Sequence, residues 1–205
     1  MRLSLAPLAD VEGLSFYKVL GCGAGNGFSI LPDFGTYAML LVWEKESYAE
    51  TFFQHNALYH DYLSKSANHQ NIYMSAVAGH GEWDGSNPFQ HQQEESSKKK
   101  IAVLTRATIN GSKLLNFWRY VPRVSRSMEG APGLRFAIGI GELPLIQQAT
   151  FSIWESKEDM TNYAYTMSRH KEVVKQTRKQ KWYKEEMFTR FQPYRSEGSI
   201  EALSV

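Results

Sequence analysis

The sequence predicts an α+β domain built from two related halves. Each half contains a strand that begins in a Gly-Leu-x-Phe segment, at 13–16 and again at 133–136. Each also contains an apolar strand that ends in Trp-Glu, within Val-Trp-Glu at 42–44 and Ile-Trp-Glu at 153–155. An amphipathic helix follows the Trp-Glu pair in both cases. Self-similarity at this spacing indicates a duplicated structural unit.

Composition narrows the class of protein. The chain has 205 residues, of which 42% are hydrophobic and 13% aromatic, so it has enough apolar side chains for a core. The net charge of +2 gives no basic field, and we expect no nucleic-acid partner. A single cysteine, Cys22, excludes an internal disulfide framework and suits a reducing cytoplasm. No apolar run reaches the roughly 18 residues of a membrane helix, although peripheral contact with a membrane remains compatible with this composition.

The first half is predicted to hold three strands and one helix. Strands are expected at 14–22, 37–43 and 72–79, with a helix at 46–65 between the last two. The Gly-rich stretch at 21–27 lacks the Lys-Ser/Thr of a phosphate-binding loop and is interpreted as a turn. The helix has an inward stripe at steps of three or four residues, formed by Tyr48, Phe52, His55, Tyr59 and Tyr62.

The second half is predicted to be a complete unit. After a polar connector at 90–100, strands are expected at 101–109, 134–140, 147–154 and 186–192, and helices at 112–127 and 157–180. The order β-α-β-β-α-β is that of ferredoxin-like domains. One such unit covers only one face of its sheet, so two of them bury their bare faces against each other, as in a dimeric α/β barrel.

These elements give a division into an N-terminal half at 1–89, the connector at 90–100, a C-terminal half at 101–194 and a tail at 195–205. The second half has a strand and a helix before its Gly-Leu-Arg-Phe segment, whereas only a short stretch precedes Gly-Leu-Ser-Phe. We therefore expect the first half to be truncated at its N-terminus relative to a complete double unit, because an unpaired sheet edge would otherwise remain.

Several longer stretches, in their shared order, resemble one known family. They are FYKVLGCGAGNGF at 16–28, GHGEWDGSNPF at 79–89, VLTRATI at 103–109, PGLRFAIGIGELP at 132–144, QATFSIW at 148–154 and WYKEEMFTRFQPY at 182–194. Together they resemble the spheroidene monooxygenases of carotenoid biosynthesis. The resemblance implies a heme-dependent oxygenase with b-type heme on a dimeric α/β barrel scaffold. It further implies dioxygen, a ferredoxin-type electron donor and an acyclic carotenoid that is oxygenated near its end.

His170 is the leading candidate for the axial heme ligand, because heme iron needs an axial base and neutral imidazole commonly supplies it. On the long helix, Tyr163, Met167, His170 and Val174 form a narrow stripe that should face the sheet. We expect His170 to bind iron and the other three to contact the cofactor. The alternative is a core histidine whose hydrogen bonds are satisfied within the protein.

His55 is the rival ligand, since it lies on the corresponding stripe of the first half. Arg106 is the candidate catalytic residue, because a charge within an apolar strand is costly unless it is paired. Its guanidinium would face bound oxygen or a heme propionate. The competing interpretation is an ion pair with Glu142, Glu155 or Glu185.

Large aromatic side chains in the second half either wall an apolar tunnel for a polyene or belong to the core. They are Trp118, Trp154, Tyr165 and Trp182. Three functions therefore compete. The first is a heme-dependent carotenoid oxygenase, the second a non-catalytic binder of heme or an apolar ligand, and the third a cofactor-free monooxygenase on the same scaffold.

Overall fold

The computed structural model describes residues 6–24, 29, 31–90, 99–119, 128, 130–143, 145–166, 180 and 182–200. The helices are α1 (Ala6–Ala9), α2 (Glu46–His55), α3 (Ala57–Lys65), α4, whose described part is 114–119 after a 3₁₀ turn at Gly111–Lys113, and α5 (Lys157–Thr166). The strands are β1 (Leu14–Gly23), β2 (Pro32–Trp43), β3 (Gln70–Gly81), β4 (Ile101–Ile109), β5 (Leu134–Leu143), β6 (Gln147–Trp154) and β7 (Tyr183–Gly198).

The described strands form one antiparallel sheet of seven strands in the order β2-β1-β5-β6-β4-β7-β3. Strands β5, β6, β4 and β7 are neighbours and reproduce the strand order of a ferredoxin-like unit. The first half supplies β1 and β2 at one end of the sheet and β3 at the other. The fold is therefore α+β and ferredoxin-like, and it resembles a dimeric α/β barrel, as the sequence predicts.

The sheet curls into a barrel-like shape with an apolar interior. Leu20 of β1, Ala76 of β3 and Phe191 of β7 belong to the same buried cluster. Half-buried side chains of both terminal strands, including Leu40 of β2 and Ile72 of β3, pack against that cluster. Because β2 and β3 lie at opposite ends of the strand order, they share an interior only if the sheet curves around it. We call this shared apolar space the barrel interior.

The corner that begins each repeat has the same backbone in both halves. Gly13 and Gly133 have φ of +71° and +74°, a conformation that favours glycine. The Glu44 amide donates to the Gly13 carbonyl at 2.9 Å, and the Glu155 amide donates to the Gly133 carbonyl at 2.8 Å. This agreement confirms the internal repeat that the Gly-Leu-x-Phe and Trp-Glu segments predict.

The prediction of one continuous helix over 46–65 is wrong, because the helix is interrupted at Asn56. Asn56 has φ −76° and ψ 122°, and its side chain accepts the amides of Leu58 and Tyr59 at 3.0 and 3.2 Å. Asparagine favours this N-cap role, so α2 ends at His55 and a new helix begins. The predicted inward stripe therefore does not continue through His55.

Strand lengths also differ from the prediction. β2 begins at Pro32 and not at 37, and β7 extends to Gly198, four residues past the expected end of the C-terminal half at 194. The predicted connector at 90–100 and the later parts of the predicted helices at 112–127 and 157–180 lie mostly outside the described residues. In the described ranges, no helix is both long and apolar enough to cross a membrane.

Candidate functional site

Arg106 lies on β4 with its side chain in the barrel interior, and only 1% of it is exposed. One of its terminal nitrogens forms a short ion pair with Glu185 of β7. The other lies 3.5 Å from an oxygen of Asp84 and 3.8 Å from an oxygen of Glu142. Burying a guanidinium is costly without such partners, so these carboxylates account for its position in an apolar strand.

A second cation and an indole complete the arrangement. Lys18 of β1 pairs with Asp84 and lies 3.0 Å from Glu142. The Trp83 ring is fully buried, donates from Nε1 to Glu142 at 2.7 Å, and has the Arg106 guanidinium 5.3 Å and the Lys18 ammonium 5.8 Å from its centroid. Both cations are within range of the negative ring face. We call the set of Lys18, Trp83, Asp84, Arg106, Glu142 and Glu185 the Arg106 cluster.

A tight turn after β3 places Trp83 and Asp84. The amide of Trp83 donates to the Ser86 carbonyl at 2.7 Å, and Asp84 and Gly85 between them have φ of 56° and 79°. Asp-Gly is the sequence that favours such a turn, because both central residues need positive φ. The Gly85 amide then donates to Glu185 at 2.8 Å, so the turn is bonded to the carboxylate that pairs with Arg106.

The cluster shifts the pKa values of two of its members. Burial alone would raise the pKa of Glu185, but hydrogen bonds from the Gly85 and Asp84 amides and from Arg106 outweigh it and lower the pKa. Burial alone would lower the pKa of Lys18, but hydrogen bonds to Asp84 and Glu142 outweigh it and raise the pKa. Both shifts favour the charged forms, because the hydrogen bonds and ion pairs of the cluster stabilise them.

The residues of the Arg106 cluster do not fit heme. Three carboxylates and two cations leave one net negative charge, which disfavours a propionate beside Arg106. None of the members is a histidine, cysteine, methionine or tyrosine, which are the side chains that commonly ligate heme iron. The arrangement instead suits a bound hydrogen-bond acceptor. Arg106 Nε is a buried donor, and no protein atom in the described part of the chain bonds to it.

The face of the sheet under α5, where the sequence analysis places the heme, is lined by apolar residues. Tyr163 is 7% exposed and its ring lies 5.1 Å from that of Trp154. Met160 of α5 and Ile101 and Val103 of β4 belong to the same cluster. Tyr163 therefore faces the sheet as predicted. Its predicted companions Met167, His170 and Val174 lie outside the described residues.

The structure does not bring Arg106 and Tyr163 together. Along β4, Ala102 and Leu104 share the barrel-interior face with Arg106, whereas Ile101 and Val103 pack on the outer face with Tyr163. Successive residues of a strand point to opposite faces, so the sheet separates the two candidates. The predicted catalytic residue and the predicted cofactor contact thus belong to two different regions.

The histidines that fall in the described ranges are all exposed. His55 is at the end of α2 and faces solvent, so its predicted inward position is wrong. His60 is exposed as predicted, with its ring 2.9 Å from the Gln54 carbonyl. His69 and His80 are exposed as well. Within the same ranges, no three His, Cys, Asp or Glu residues are placed to hold a metal ion.

The other predicted side chains have structural surroundings. Cys22 is buried with Sγ 3.3 Å from the Gly139 carbonyl, and burial raises the pKa of its thiol, which disfavours a thiolate ligand. Trp154 and Trp182 are core residues, whereas Tyr165 is 73% exposed and does not wall an interior tunnel. Glu155, considered as a partner of Arg106, pairs instead with exposed Arg135 at 3.3 Å.

Lys18, Trp83 and Asp84 were not predicted as site residues. A signal was present, because nearly every stretch that carries the family resemblance supplies a member of the cluster. Residues 16–28 supply Lys18, 79–89 supply Trp83 and Asp84, 103–109 supply Arg106, 132–144 supply Glu142 and 182–194 supply Glu185. Five segments that are distant in sequence thus meet at one buried site.

The strand order defines a ferredoxin-like α+β fold that resembles a dimeric α/β barrel. No protein-family model matches the sequence. Spheroidene monooxygenase from Rhodobacter capsulatus is 33% identical over 201 residues, which cover 97% of this chain and 83% of that protein. The chain therefore belongs to the spheroidene monooxygenase family.

Two further comparisons are more partial. Spheroidene monooxygenase from Cereibacter sphaeroides is 33% identical over 178 residues, which cover 86% of this chain and 55% of that protein. A solved ferredoxin-fold protein from Listeria monocytogenes, related to antibiotic biosynthesis monooxygenases, is 12% identical, with a TM-score of 0.38. That match covers 59% of this chain and 64% of the other. The fold assignment therefore depends on the strand order itself.

Proposed function

We propose that this protein is a monooxygenase that inserts oxygen near the end of an acyclic carotenoid. The observation that carries the proposal is the 33% identity to a spheroidene monooxygenase over 97% of the chain. In the proposed reaction one atom of dioxygen enters the substrate and the other leaves as water, with two protons and two electrons. A ferredoxin-type protein would supply the electrons. The proposal places the chain in the cytoplasm, with peripheral membrane contact where an apolar polyene is delivered.

The cofactor is a separate part of the proposal. We propose b-type heme with His170 as its axial ligand, because the family resemblance implies both. Tyr163, which lies on the α5 side of the sheet and is buried against Trp154, is proposed as a neighbour of the heme on that side. Heme would supply the activation of dioxygen, and the protein would orient the polyene and exclude water. Because Arg106 lies on the opposite face, we assign it to positioning within the barrel interior and not to contact with the heme.

Product formation tests the reaction. Purified protein would be incubated with an acyclic carotenoid, dioxygen and a reduced ferredoxin system, and the products analysed by mass spectrometry with ¹⁸O₂. Incorporation of one labelled oxygen atom is the expected result. Heme binding without any labelled product would instead favour a non-catalytic heme-binding protein, the second candidate.

Absorbance spectroscopy tests the cofactor. Protein produced with a heme supply should show a Soret band, and His170→Ala should abolish or strongly shift it. His60→Ala is the matched control, because this exposed histidine on α3 should leave the spectrum unchanged. Turnover by heme-free, metal-free protein would exclude the heme proposal and favour a cofactor-free monooxygenase.

A further inference from the structure

One end of the barrel exposes several large apolar side chains. A tight turn joins β5 to β6 there, and its residues Leu143, Leu145 and Ile146 are 52%, 37% and 38% exposed. Leu115, near the start of α4, is 82% exposed. Single exposed apolar residues are common, but a contiguous group of them marks an interaction surface. We call the set of Leu115, Trp118, Leu143, Leu145 and Ile146 the tip surface.

Contacts between α4 and the turn make the tip surface continuous. The Trp118 indole donates to the Leu145 carbonyl at 3.0 Å, and the Ile109 amide of β4 donates to the Ile146 carbonyl at 2.8 Å. Leu115 lies three residues before Trp118, so the two side chains are neighbours on the helix. The helix and the turn therefore present their apolar side chains together.

The carbonyls of the turn are hydrogen-bonded within the protein. Besides those of Leu145 and Ile146, the Leu143 carbonyl accepts the Ile146 amide at 3.3 Å. A hydrocarbon phase offers no hydrogen bonds, so a segment enters it only when its backbone groups are paired internally. The carbonyls of the exposed turn residues meet this requirement, which a surface that only faces water does not need to meet.

Leu145 has its apolar side chain at a position that favours other residue types. Its φ is +72°, a left-handed conformation that is unfavourable for leucine and is readily adopted by glycine or asparagine. In the described part of the chain, Asp84 is the other non-glycine residue with positive φ. An exposed leucine in this conformation is a cost to folding, which favours a function for its side chain outside the fold.

Cations flank the tip surface. Lys113 and Arg119 lie at the two ends of the described part of α4 with its 3₁₀ turn, and Arg119 is exposed. Residues 110–128 contain no Asp or Glu. Glu142, which precedes the turn of the tip surface, accepts the buried Trp83 indole instead. A helix with Leu, Phe and Trp beside Lys and Arg has the composition of segments that lie at the surface of membranes with anionic lipids.

We propose that the tip surface docks this protein on a membrane that carries anionic lipids. Leu115 and the leucines of the turn enter the acyl region, Trp118 lies at the level of the headgroups, and the flanking cations pair with lipid phosphates. A protein partner would find the carbonyls of the turn already bonded. The inference rests on the proposed function for its cargo, an apolar polyene, but docking itself is measured without carotenoid or heme.

Vesicle sedimentation with the full chain tests the proposal. The probes are vesicles of phosphatidylcholine alone and vesicles with about one third phosphatidylglycerol. Binding to the anionic vesicles should be roughly tenfold or more tighter, because each basic residue near such a surface contributes about a factor of five. Raising the salt concentration from about 0.05 M to about 0.5 M should reduce this difference, because salt screens the charges.

Leu143→Ser and Tyr194→Ser form a matched pair of variants. The two side chains are 52% and 49% exposed, but Tyr194 lies near the far end of β7, whose first residue Tyr183 pairs with Ile109 beside the turn. Leu143→Ser should weaken binding to both kinds of vesicle roughly tenfold, because a leucine is lost from the acyl region. Tyr194→Ser should bind as wild type does. Circular dichroism verifies the folding of both variants.

Removing the flanking cations isolates the electrostatic part. Lys113→Gln combined with Arg119→Gln should lower the affinity for anionic vesicles roughly 25-fold and leave the affinity for phosphatidylcholine unchanged. Lys65→Gln combined with Arg135→Gln is the control, because it removes two exposed cations that lie outside α4 and the turn. The control should change the affinity roughly twofold or less.

Two variants separate docking from stability. Leu145→Asn should melt at or above the wild-type temperature, because asparagine tolerates positive φ, and yet bind vesicles more weakly. Phosphatidylcholine with brominated acyl chains should quench the fluorescence of Trp118, and Trp118→Phe should remove that quenching. Trp83, Trp154 and Trp182 are buried in the protein and should not respond.

Three outcomes would overturn the proposal. The first is that the folded protein binds neither kind of vesicle. The second is wild-type binding by both Leu143→Ser and the Lys113/Arg119 double variant, which would place docking elsewhere. The third is self-association without vesicles that Leu143→Ser abolishes, which would identify a second copy as the occupant. Because these vesicles contain no carotenoid, a failure of the oxygenase proposal would appear separately, in the product assay.

Discussion

The first half of the chain ends with β3, and the second half begins with β4. The two halves place equivalent residues at equivalent corners, but they differ in β4, the strand that precedes the corner of the second half. Leu8 and Met128 are both buried, and their carbonyls accept the amides of Val11 and Ala131 at 3.3 and 3.1 Å. Leu8, in the short helix α1, therefore has the place before β1 that Met128 has before β5. The second half adds β4, and no described strand of the first half has that place.

That difference shows how a duplicated unit acquires a unique site. β4 carries Arg106 into the barrel interior, where carboxylates of β5 and β7 and of the turn after β3 surround it. The first half contributes Lys18 and Trp83 to the same cluster. Among the described strands, β4 is the one that carries a guanidinium into the centre, so the site is asymmetric although the corners are symmetric.

The largest expected effect is that of removing this guanidinium. Arg106→Leu should lower the free energy of unfolding by about 3–5 kcal/mol, because Glu185 and Glu142 lose a buried partner. Arg135→Leu is the control, since the Arg135–Glu155 pair is about half exposed and should contribute less than about 1 kcal/mol. Urea unfolding measures both. Equal losses of unfolding free energy in the two variants would contradict a particular role for the buried guanidinium of β4.

The next effect tests the symmetry of the corners. Gly13→Ala and Gly133→Ala should each cost about 1–3 kcal/mol, since both sites have positive φ and an added methyl group would overlap Tyr48 or Asp159. Thermal unfolding of the two variants compares the halves directly. Truncating the overlapping side chain, as in Gly13→Ala with Tyr48→Ala, removes the overlap but not the backbone strain. A cost confined to one glycine would contradict the equivalence of the corners.

A smaller difference is expected for the two Trp-Glu segments. Trp154 is 2% exposed and donates to the buried Ser152 hydroxyl at 3.0 Å, so Trp154→Phe should cost about 1–3 kcal/mol. Trp43→Phe, at a half-buried position, should cost about 1 kcal/mol or less. Chemical denaturation of the two variants provides the measurement, and the reverse order would show that the first half is the better packed.

The smallest effect is a dependence on pH. The pKa of Glu185 is lowered in the folded protein, so its stabilising contribution is present above the ordinary glutamate value of 4.5 and is lost as pH falls through the lower folded value. Melting temperatures of Glu185→Gln should therefore fall less steeply below pH 4.5 than those of wild type. Glu155→Gln, which removes an exposed carboxylate, should follow the wild-type profile. Parallel profiles for all three proteins would argue against Glu185 as a titrating group.

The strands of the fold were predictable from sequence because alternating and continuous apolar runs mark them, and β4 has the predicted bounds of 101–109. The break at Asn56 was missed, because a capping side chain overrides a helical stripe that continues on both sides of it. The exposure of His55 follows from that break.

For the site, an isolated charge in an apolar strand identified Arg106, and Glu142 and Glu185 were among its suggested partners. Lys18 and Asp84 were not found, since their meeting with Arg106 depends on a strand order that pairs β1 with β5 and β4 with β7. Periodicity within one strand contains no information about such neighbours. For the same reason the sequence did not show that Arg106 and Tyr163 lie on opposite faces.

The strand order has a consequence for how the chain reaches its native state. The strands β5, β6, β4 and β7 are contiguous in the sheet and come from one continuous half, so their pairing closes comparatively short loops. β1 and β3 dock on β5 and β7, at opposite ends of that block. We therefore expect the C-terminal half to form first and to act as a template on which the N-terminal half, synthesised earlier by the ribosome, acquires its structure.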